Sequence, residues 1–592
     1  MKNKIFIAIG LLSLTLVSCD DFLTREPYSK IDSKEFFANE DELKIYANGL
    51  FVDFIPSAAN LSLDNSSADN IAVSSFETFL HPDFDVDKQT GWTWGTWQDL
   101  FRCNYFLENI DKAKGVVSTD VLNHYRGVAR FWRAWFYFGM VKTYSNVPWY
   151  SKTIAQNDSD QLYKKRDSRE LVMDSVLADL NYACNNLKTA KSYLITKYVA
   201  QAFKSRVCLY EGTFRKYHVT NPATGQAWAD ASGSTKFLRE CVNASEDLMN
   251  SNAYSLVTGD SDSYRSLFNQ EAPKAQEIIL AREYSSQLAA TQNVTQSFVS
   301  AGNDSKRWSP TQDFINTYLK RDGSRFTDQP DYATETFLEN CKNRDWRLYQ
   351  TVITPSYQKK VSGKMVRYNP NWNITLSGYQ VIKFNLDDTF YETTGRGVNS
   401  FPVLRYAEVL LNDAEAKAEL GEMNESVWDG TIKLIRERAG VNGKAPEAAD
   451  PYLIKYFNNK CTDKWLLEIR RERGIELFME GGNLRYNDLM RWNEGEMLMH
   501  TWSSIYIGSK NTPIDSNGDG KLDFVVVDKA PSKKISGVFY IDLSKSPYYQ
   551  WKDGRLYIAN EANWTDNKYV HPIPRAALVK NSALGQNYGW DK

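Results

Sequence analysis

Apolar side chains recur every three or four residues through the N-terminal half, so the chain buries one face per helix by laying helices side by side. Asn39, followed three residues on by Glu42, has the pattern of a capping box, and Leu43, Tyr46, Ala47, Leu50, Phe51 and Phe54 then keep helical spacing until Pro56. Trp97, Leu100, Cys103, Leu107 and Ile110 form a second stripe. Val128, Phe131, Trp132, Trp135 and Phe138 form a third, which ends at Asn146-Val147-Pro148. Two more run from Leu171 to Leu187 and from Thr196 to Tyr210, with Ala129, Ala134, Ala200 and Ala202 supplying small residues for close crossings. Paired helices of this length predict stacked hairpins of tetratricopeptide type.

From about residue 270 to 400 the periodicity breaks into short runs, among them Glu277-Ile278-Ile279-Leu280 and Tyr379 to Phe384, separated by Asn, Asp, Gly, Ser and Pro. This stretch predicts loops with small strands. Helical spacing returns over Val403 to Leu420, Thr431 to Arg438 and Trp465 to Met479, and the tail after 500 is irregular. The fold expected is mainly α, with helical hairpins packed against a loop-rich part. No Gly/Ser-rich or Pro-rich linker divides the 592 residues, so residues 19–592 are expected to form one unit, helical to about 270 and loop-rich beyond.

A net charge of −2 leaves no basic field for polyanions, which argues against a nucleic-acid partner. Apart from Cys19, the cysteines (Cys103, Cys184, Cys208, Cys241, Cys341, Cys461) are far apart and form no C-x-x-C, so buried free thiols are expected instead of zinc ligands. The first residues have the form of a lipoprotein signal. Lys2 and Lys4 precede an apolar run from Ile5 to Val17, which is shorter than the roughly 20 residues a spanning helix needs. Leu16-Val17-Ser18-Cys19 then marks cleavage of residues 1–18 and lipidation of Cys19. Several acyl chains at about 0.8 kcal/mol per CH₂ make a stable anchor.

Several segments, in order along the chain, resemble the SusD/RagB family of outer-membrane nutrient-binding lipoproteins. They are Cys19-Asp20-Asp21-Phe22-Leu23 with the helix to Phe51, Tyr125 to Ala134 with Val147-Pro148, and Asn343-Arg344-Asp345-Trp346-Arg347. Further on come Pro402 to Leu411 with Ala414-Glu415-Ala416, Ile435 to Gly440, Arg470 to Leu477, Asp488 to Trp492 and the closing Pro572-Ile573-Pro574 to Trp590. The resemblance implies a lipid-anchored protein on the cell exterior of a Bacteroidetes outer membrane. It would bind glycan oligosaccharides without turning them over and pass them to a SusC-like TonB-dependent transporter. A peptide-binding, RagB-like protein of the same architecture is the alternative, ahead of a glycoside hydrolase or a scaffold that binds only protein. The acidic pair Asp20-Asp21 resembles a surface-export signal of such lipoproteins.

Trp and Tyr suit carbohydrate, since a flat ring covers the C–H face of a sugar while its polar edge meets hydroxyls. The chain holds 17 Trp, 34 Tyr and 29 Phe, most of which must be core. Trp92 and Trp94, in a Gly/Thr-rich stretch read as extended, are expected to point the same way about 6.6 Å apart and form a stacking platform. Asp69 and Asn70 resemble a polar pair of relatives that would hydrogen-bond sugar hydroxyls, and Trp308 is a further loop aromatic. The loop Asp515-Ser516-Asn517-Gly518-Asp519-Gly520-Lys521-Leu522-Asp523 has calcium-ligand spacing, with side-chain oxygens from Asp515, Asn517, Asp519 and Asp523 and the carbonyl of Lys521. Val526 stands where a bidentate Glu is required, with Asp528 as a substitute, so a bound structural calcium is expected but not an EF-hand; no other cofactor is called for. Arg405, Glu408, Glu415, Arg471, Glu476 and Arg491 read as ion pairs that buttress helices and not as a catalytic set.

Overall fold

The computed structural model describes residues 36–58, 60, 68–75, 77–299 and 307–591. Cys19 and the cleaved segment lie outside them. The five expected helices form in order, α1 (Glu40–Phe54), α2 (Trp94–Asn109), α3 (Thr119–Tyr144), α4 (Arg169–Asn186) and α5 (Lys197–Tyr217), and a sixth, α6 (Gly233–Asn250), follows them. Asn39 caps α1 by accepting the Glu42 amide, and the Glu42 carboxylate reaches back to the backbone amide of Ala38 and the side-chain amide of Asn39. Helix α3 packs on α4 and α4 on α5, the succession of neighbours that the stripes predict, and α5 packs further on α6.

Aromatic rings fill the crossings. Phe54 stacks on Trp132 at 4.9 Å and Trp135 on Phe203 at 4.3 Å. At the α5–α6 crossing Gly212 lets the backbones meet, since a Cβ there would come within 2.9 Å of the Leu238 amide nitrogen. The fifth stripe predicts a helix only to Tyr210, whereas α5 runs to Tyr217 and α6 has no counterpart among the stripes. Yet Phe237, Leu238, Cys241, Val242, Ser245 and Leu248 bury one clear face.

Four longer or centrally placed helices follow, α7 (Tyr406–Glu419), α8 (Ile432–Arg438), α9 (Lys464–Glu476) and α10 (Leu484–Arg491), with the short α11 (Arg575–Lys580) near the end. Helix α7 packs on both α5 and α6, so one hydrophobic core joins the N-terminal helices to this later helix. Strands are short: β1 (Ile71–Ala72), β2 (Ile278–Arg282), β3 (Ser309–Pro310), β4 (Gln358–Val361), β5 (Lys364–Arg367), β6 (Phe401–Arg405), β7 (Trp502–Tyr506), β8 (Phe524–Val527), β9 (Phe539–Asp542), β10 (Tyr549–Lys552) and β11 (Arg555–Ile558). They pair as β1–β3, β2–β6, β4–β5, parallel β8–β9 and the three-stranded β10–β11–β7, and a second core gathers under them.

Two expectations change here. Val403 to Arg405 belong to β6, and the helix starts at Tyr406, whose amide donates to the Glu277 carbonyl beside β2. Tyr379 to Phe384 is not a strand: Val381 makes one bridge to Val352, while the side chains on both sides are tied individually, Tyr379 to Gln312 and Lys383 to Glu480.

The central charges of the C-terminal half are buried and paired. Arg347, Arg405 and Arg438 converge on Glu476, the first two at 3.0 and 2.6 Å. Glu277 shares Arg405 and Arg438, and Glu472 joins Arg347 to Arg436. Arg491 pairs with Glu415 and Asp488, Arg471 with Asp450 and Glu468, and Glu408 with Arg206. The ion-pair reading of Arg405, Glu408, Glu415, Arg471, Glu476 and Arg491 therefore holds. All six described cysteines are free, and burial pushes the Cys184 thiol up to about 12.

Candidate functional site

Helix α2 begins earlier than its Gly/Thr-rich lead-in suggests. Thr93 is its N-cap and forms a reciprocal capping box with Thr96, so Trp94 is the first helical residue. The extended reading of Trp92 and Trp94 is therefore wrong, because two threonine hydroxyls supply the cap that the composition hid. The outcome for the side chains is different from a flat platform but still brings both to one place. Gly91 turns the chain with φ +93°, where a Cβ would sit 2.7 Å from the Tyr144 hydroxyl, and Trp92 follows with φ +56°. Trp92 is then wedged edge-on between Trp97 and Tyr144, at 5.3 and 5.0 Å, with part of its ring open. Trp94, one residue into the helix, is 75% exposed.

These rings line a groove of about 550 Å³. Its floor is Trp92, Trp97 and Tyr150, and Trp94, Phe101 and Tyr163 stand at its rim, the last two exposed. Phe101 lies seven residues after Trp94 on the same helical face, with ring centroids 6.4 Å apart. The far wall is the loop from Pro148 to Ile154 together with the end of α11.

That wall is held from below. The buried Asn104 donates to the carbonyls of Tyr150 and Lys152, both at 3.0 Å, and accepts from Arg133, whose guanidinium grips Asp179 at 2.7 and 2.8 Å. Glu108 fixes Thr153 through its amide and hydroxyl, and Asn581 donates to the Lys164 carbonyl, which ties α11 to the loop before α4. The arrangement is an aromatic trough braced from below, with Trp94, Phe101 and Tyr163 left exposed. Such a surface can take flat apolar faces that carry polar edges.

The other expected ligand contacts are elsewhere and closed. Asp69 is buried and bound bidentately by Arg485 at 2.6 and 2.7 Å, with the Tyr456 hydroxyl at 2.7 Å. Burial opposes ionisation there, but Arg485 outweighs it and holds the carboxyl below the usual range. Asn70 is also buried, its carbonyl accepting from Thr311 beside the β1–β3 ladder. Trp308 is 4% exposed and packs against Phe298 at 5.2 Å, drawn inward because the adjoining Ser309–Pro310 strand pairs with β1. None of the three faces the groove.

The loop 515–523 spends its oxygens on itself. Asp515 accepts the amides of Gly518 and Gly520 at 2.7 and 2.8 Å, Asp519 accepts that of Lys521, and Asp523 is taken by Ser516 and Asn369. Asn517 donates to Asn369. Among the described residues no three His, Cys, Asp or Glu side chains gather as a metal site, and these hydrogen bonds fold 515–523 into a closed turn; a calcium ion on Asp515, Asn517, Asp519, Lys521 and Asp523 is a proposal that calcium titration tests.

Sequence reasoning missed Phe101, Tyr150, Tyr163, Lys152, Lys580 and Asn581. The i, i+7 relation of Trp94 to Phe101 was readable once the helix start was placed. The contribution of α11, hundreds of residues downstream, had no local signal.

The profile of the SusD family matches residues 276–590, and one described as "Starch-binding associating with outer membrane" matches residues 21–209. The chain belongs to the SusD family. Among curated relatives, the SusD-like protein P38 of Formosa agariphila is 25% identical over 539 residues, covering 84% of this chain and 91% of that protein. A solved SusD-like protein of Bacteroides fragilis superposes with a TM-score of 0.67 at 22% identity, over 95% of this chain and 98% of the other. A SusD-like carbohydrate binding protein of the same organism gives a TM-score of 0.66 at 19% identity, over 93% and 99%. These likenesses establish the mainly α SusD fold. Among the described residues of this SusD-family chain no helix is long and apolar enough to cross a membrane.

Proposed function

We propose that this SusD-family chain is a binding lipoprotein, anchored through Cys19 on the outer face of the outer membrane, which holds a glycan oligomer in the groove around Trp92, Trp94 and Phe101. It hands that oligomer to a SusC-like TonB-dependent transporter. The observation that carries this reading is Trp94: a tryptophan left 75% exposed beside two more uncovered aromatic rings, over a floor braced by buried hydrogen bonds. Exposing that much apolar surface is unfavourable by roughly 25 cal/mol per Å², a loss that a ligand's sugar faces recover. Capture beside a pore raises the ligand's effective concentration there.

The arginine-paired carboxylates of the core favour binding without turnover, since burial with a guanidinium fixes their charge instead of leaving one acid and one base near neutrality. The test is a glycan array probed with the soluble form, residues 20–592, followed by product analysis. Retention of an oligomer unchanged supports the reading. Cleaved products contradict it, and retention of peptides in place of glycans transfers the groove to a RagB-like role.

A further inference from the structure

The groove is charged in one sense only. Lys152 and Lys580 line it from the two halves of its far wall, and no Asp or Glu is among the residues that line it. Among the described residues neither ammonium takes part in an ion pair, whereas Lys164, in the loop before α4, pairs with Asp167. The backbone positions of the two lysines are also fixed. The Lys152 carbonyl accepts from Asn104, which is itself held by Arg133 of the buried Arg133–Asp179 pair, and Lys580 precedes Asn581, which donates to the Lys164 carbonyl.

Resting on the binding function proposed above, we infer that the groove selects acidic glycans, with Lys152 and Lys580 meeting carboxylate or sulfate groups while Trp94 and Phe101 cover the sugar faces. Two unpaired cations beside apolar rings leave a positive field that a neutral sugar does not use. An anionic substituent gains charge-assisted hydrogen bonds there, shorter and stronger than those to a hydroxyl. The absence of a lining carboxylate also means that an acidic ligand meets no like charge on entry. Neutral oligomers would share the stacking and lack the charge contact.

The test measures binding of the soluble form to three probes by isothermal titration: an oligogalacturonate hexamer, the same hexamer with its carboxyls reduced to alcohols, and a sulfated carrageenan oligomer. The carboxylate and sulfate arms distinguish which anion the lysines take. The expected result is that at least one acidic probe binds tenfold or more tighter than the reduced hexamer. Its affinity falls about tenfold in the variant Lys152→Gln/Lys580→Gln and several-fold when salt rises from about 50 to 500 mM, as screening predicts. Both side chains are exposed, so this variant keeps its fold, and an unchanged melting temperature checks that. Equal binding of the neutral probe, or acidic binding indifferent to the lysine variant, overturns the acidic selectivity and leaves glycan binding standing. Binding that survives Trp94→Ala unchanged, or no retention of any glycan, overturns both.

Discussion

The core around Glu476 and the groove around Trp94 are built from the same kinds of residue in opposite states. In the core every arginine that reaches Glu476 also meets a second carboxylate, and the atoms are buried. At the groove the aromatic faces are open and the two lining lysines have no carboxylate partner among the described residues. Buried, reciprocated charge is architecture, because breaking it strands an ion in a low dielectric. Open rings and unreciprocated charge are the surface that a ligand completes.

The comparison breaks if the core tolerates the loss of a partner. Glu476→Ala leaves Arg347, Arg405 and Arg438 short of a carboxylate and is expected to destabilise the protein by about 3–5 kcal/mol in chemical denaturation. A change under about 1 kcal/mol would remove the distinction between the two regions.

A buried acid without full pairing sharpens it. Burial pushes the Glu494 carboxyl from 4.5 up to about 7, against the pull of Arg470 and Lys460. A raised carboxyl contributes stability below its unfolded value that is lost as pH rises through 7. Glu494→Gln is therefore expected to match the parent near pH 4 and to be about 1–2 kcal/mol more stable at pH 8. Glu468 runs the other way: burial opposes it, but Arg471 and Arg436 hold it at about 2. Its contribution is present above pH 4.5 and disappears as pH falls toward 2. A Glu494→Gln gain that is flat with pH contradicts the assignment.

At the groove the effects move from stability to binding. Trp94→Ala is expected to change stability by less than about 0.5 kcal/mol and to weaken a bound oligomer about tenfold, the equivalent of ~1.4 kcal/mol. A large loss of stability instead would make Trp94 a packing residue. The smallest effect concerns loop 515–523. Millimolar calcium is expected to shift the melting temperature by less than about 1 °C, since a ligand stabilises only as RT ln(1 + [L]/Kd) and the loop oxygens already hold amides. A rise of several degrees would restore the ion.

What the chain reveals by itself follows from the range of its interactions. The helices α1 to α5 are legible because each buries one face at a fixed period, and the ion-pair role of Arg405 and Glu476 is legible because arginines and carboxylates recur side by side in the segments around them. Trp92 and Trp94 stand out by residue type, but the Gly/Thr-rich stretch around them reads as extended, whereas the structure turns the chain at Trp92 and starts a helix at Trp94. Asp69 and Trp308 were misread because their fate is set by Arg485 and by the β1–β3 pairing, contacts hundreds of residues apart. The calcium spacing carries two readings, because the same Asp, Asn and Gly residues that space ligands also close their own turns.

The most direct test is a crystal structure of the soluble form with whichever oligomer the array retains. The account predicts a sugar ring within van der Waals distance of the Trp94 face, with its neighbour reaching toward Phe101 or Tyr163. An oligomer seated elsewhere, with the Trp94 groove empty, would contradict it.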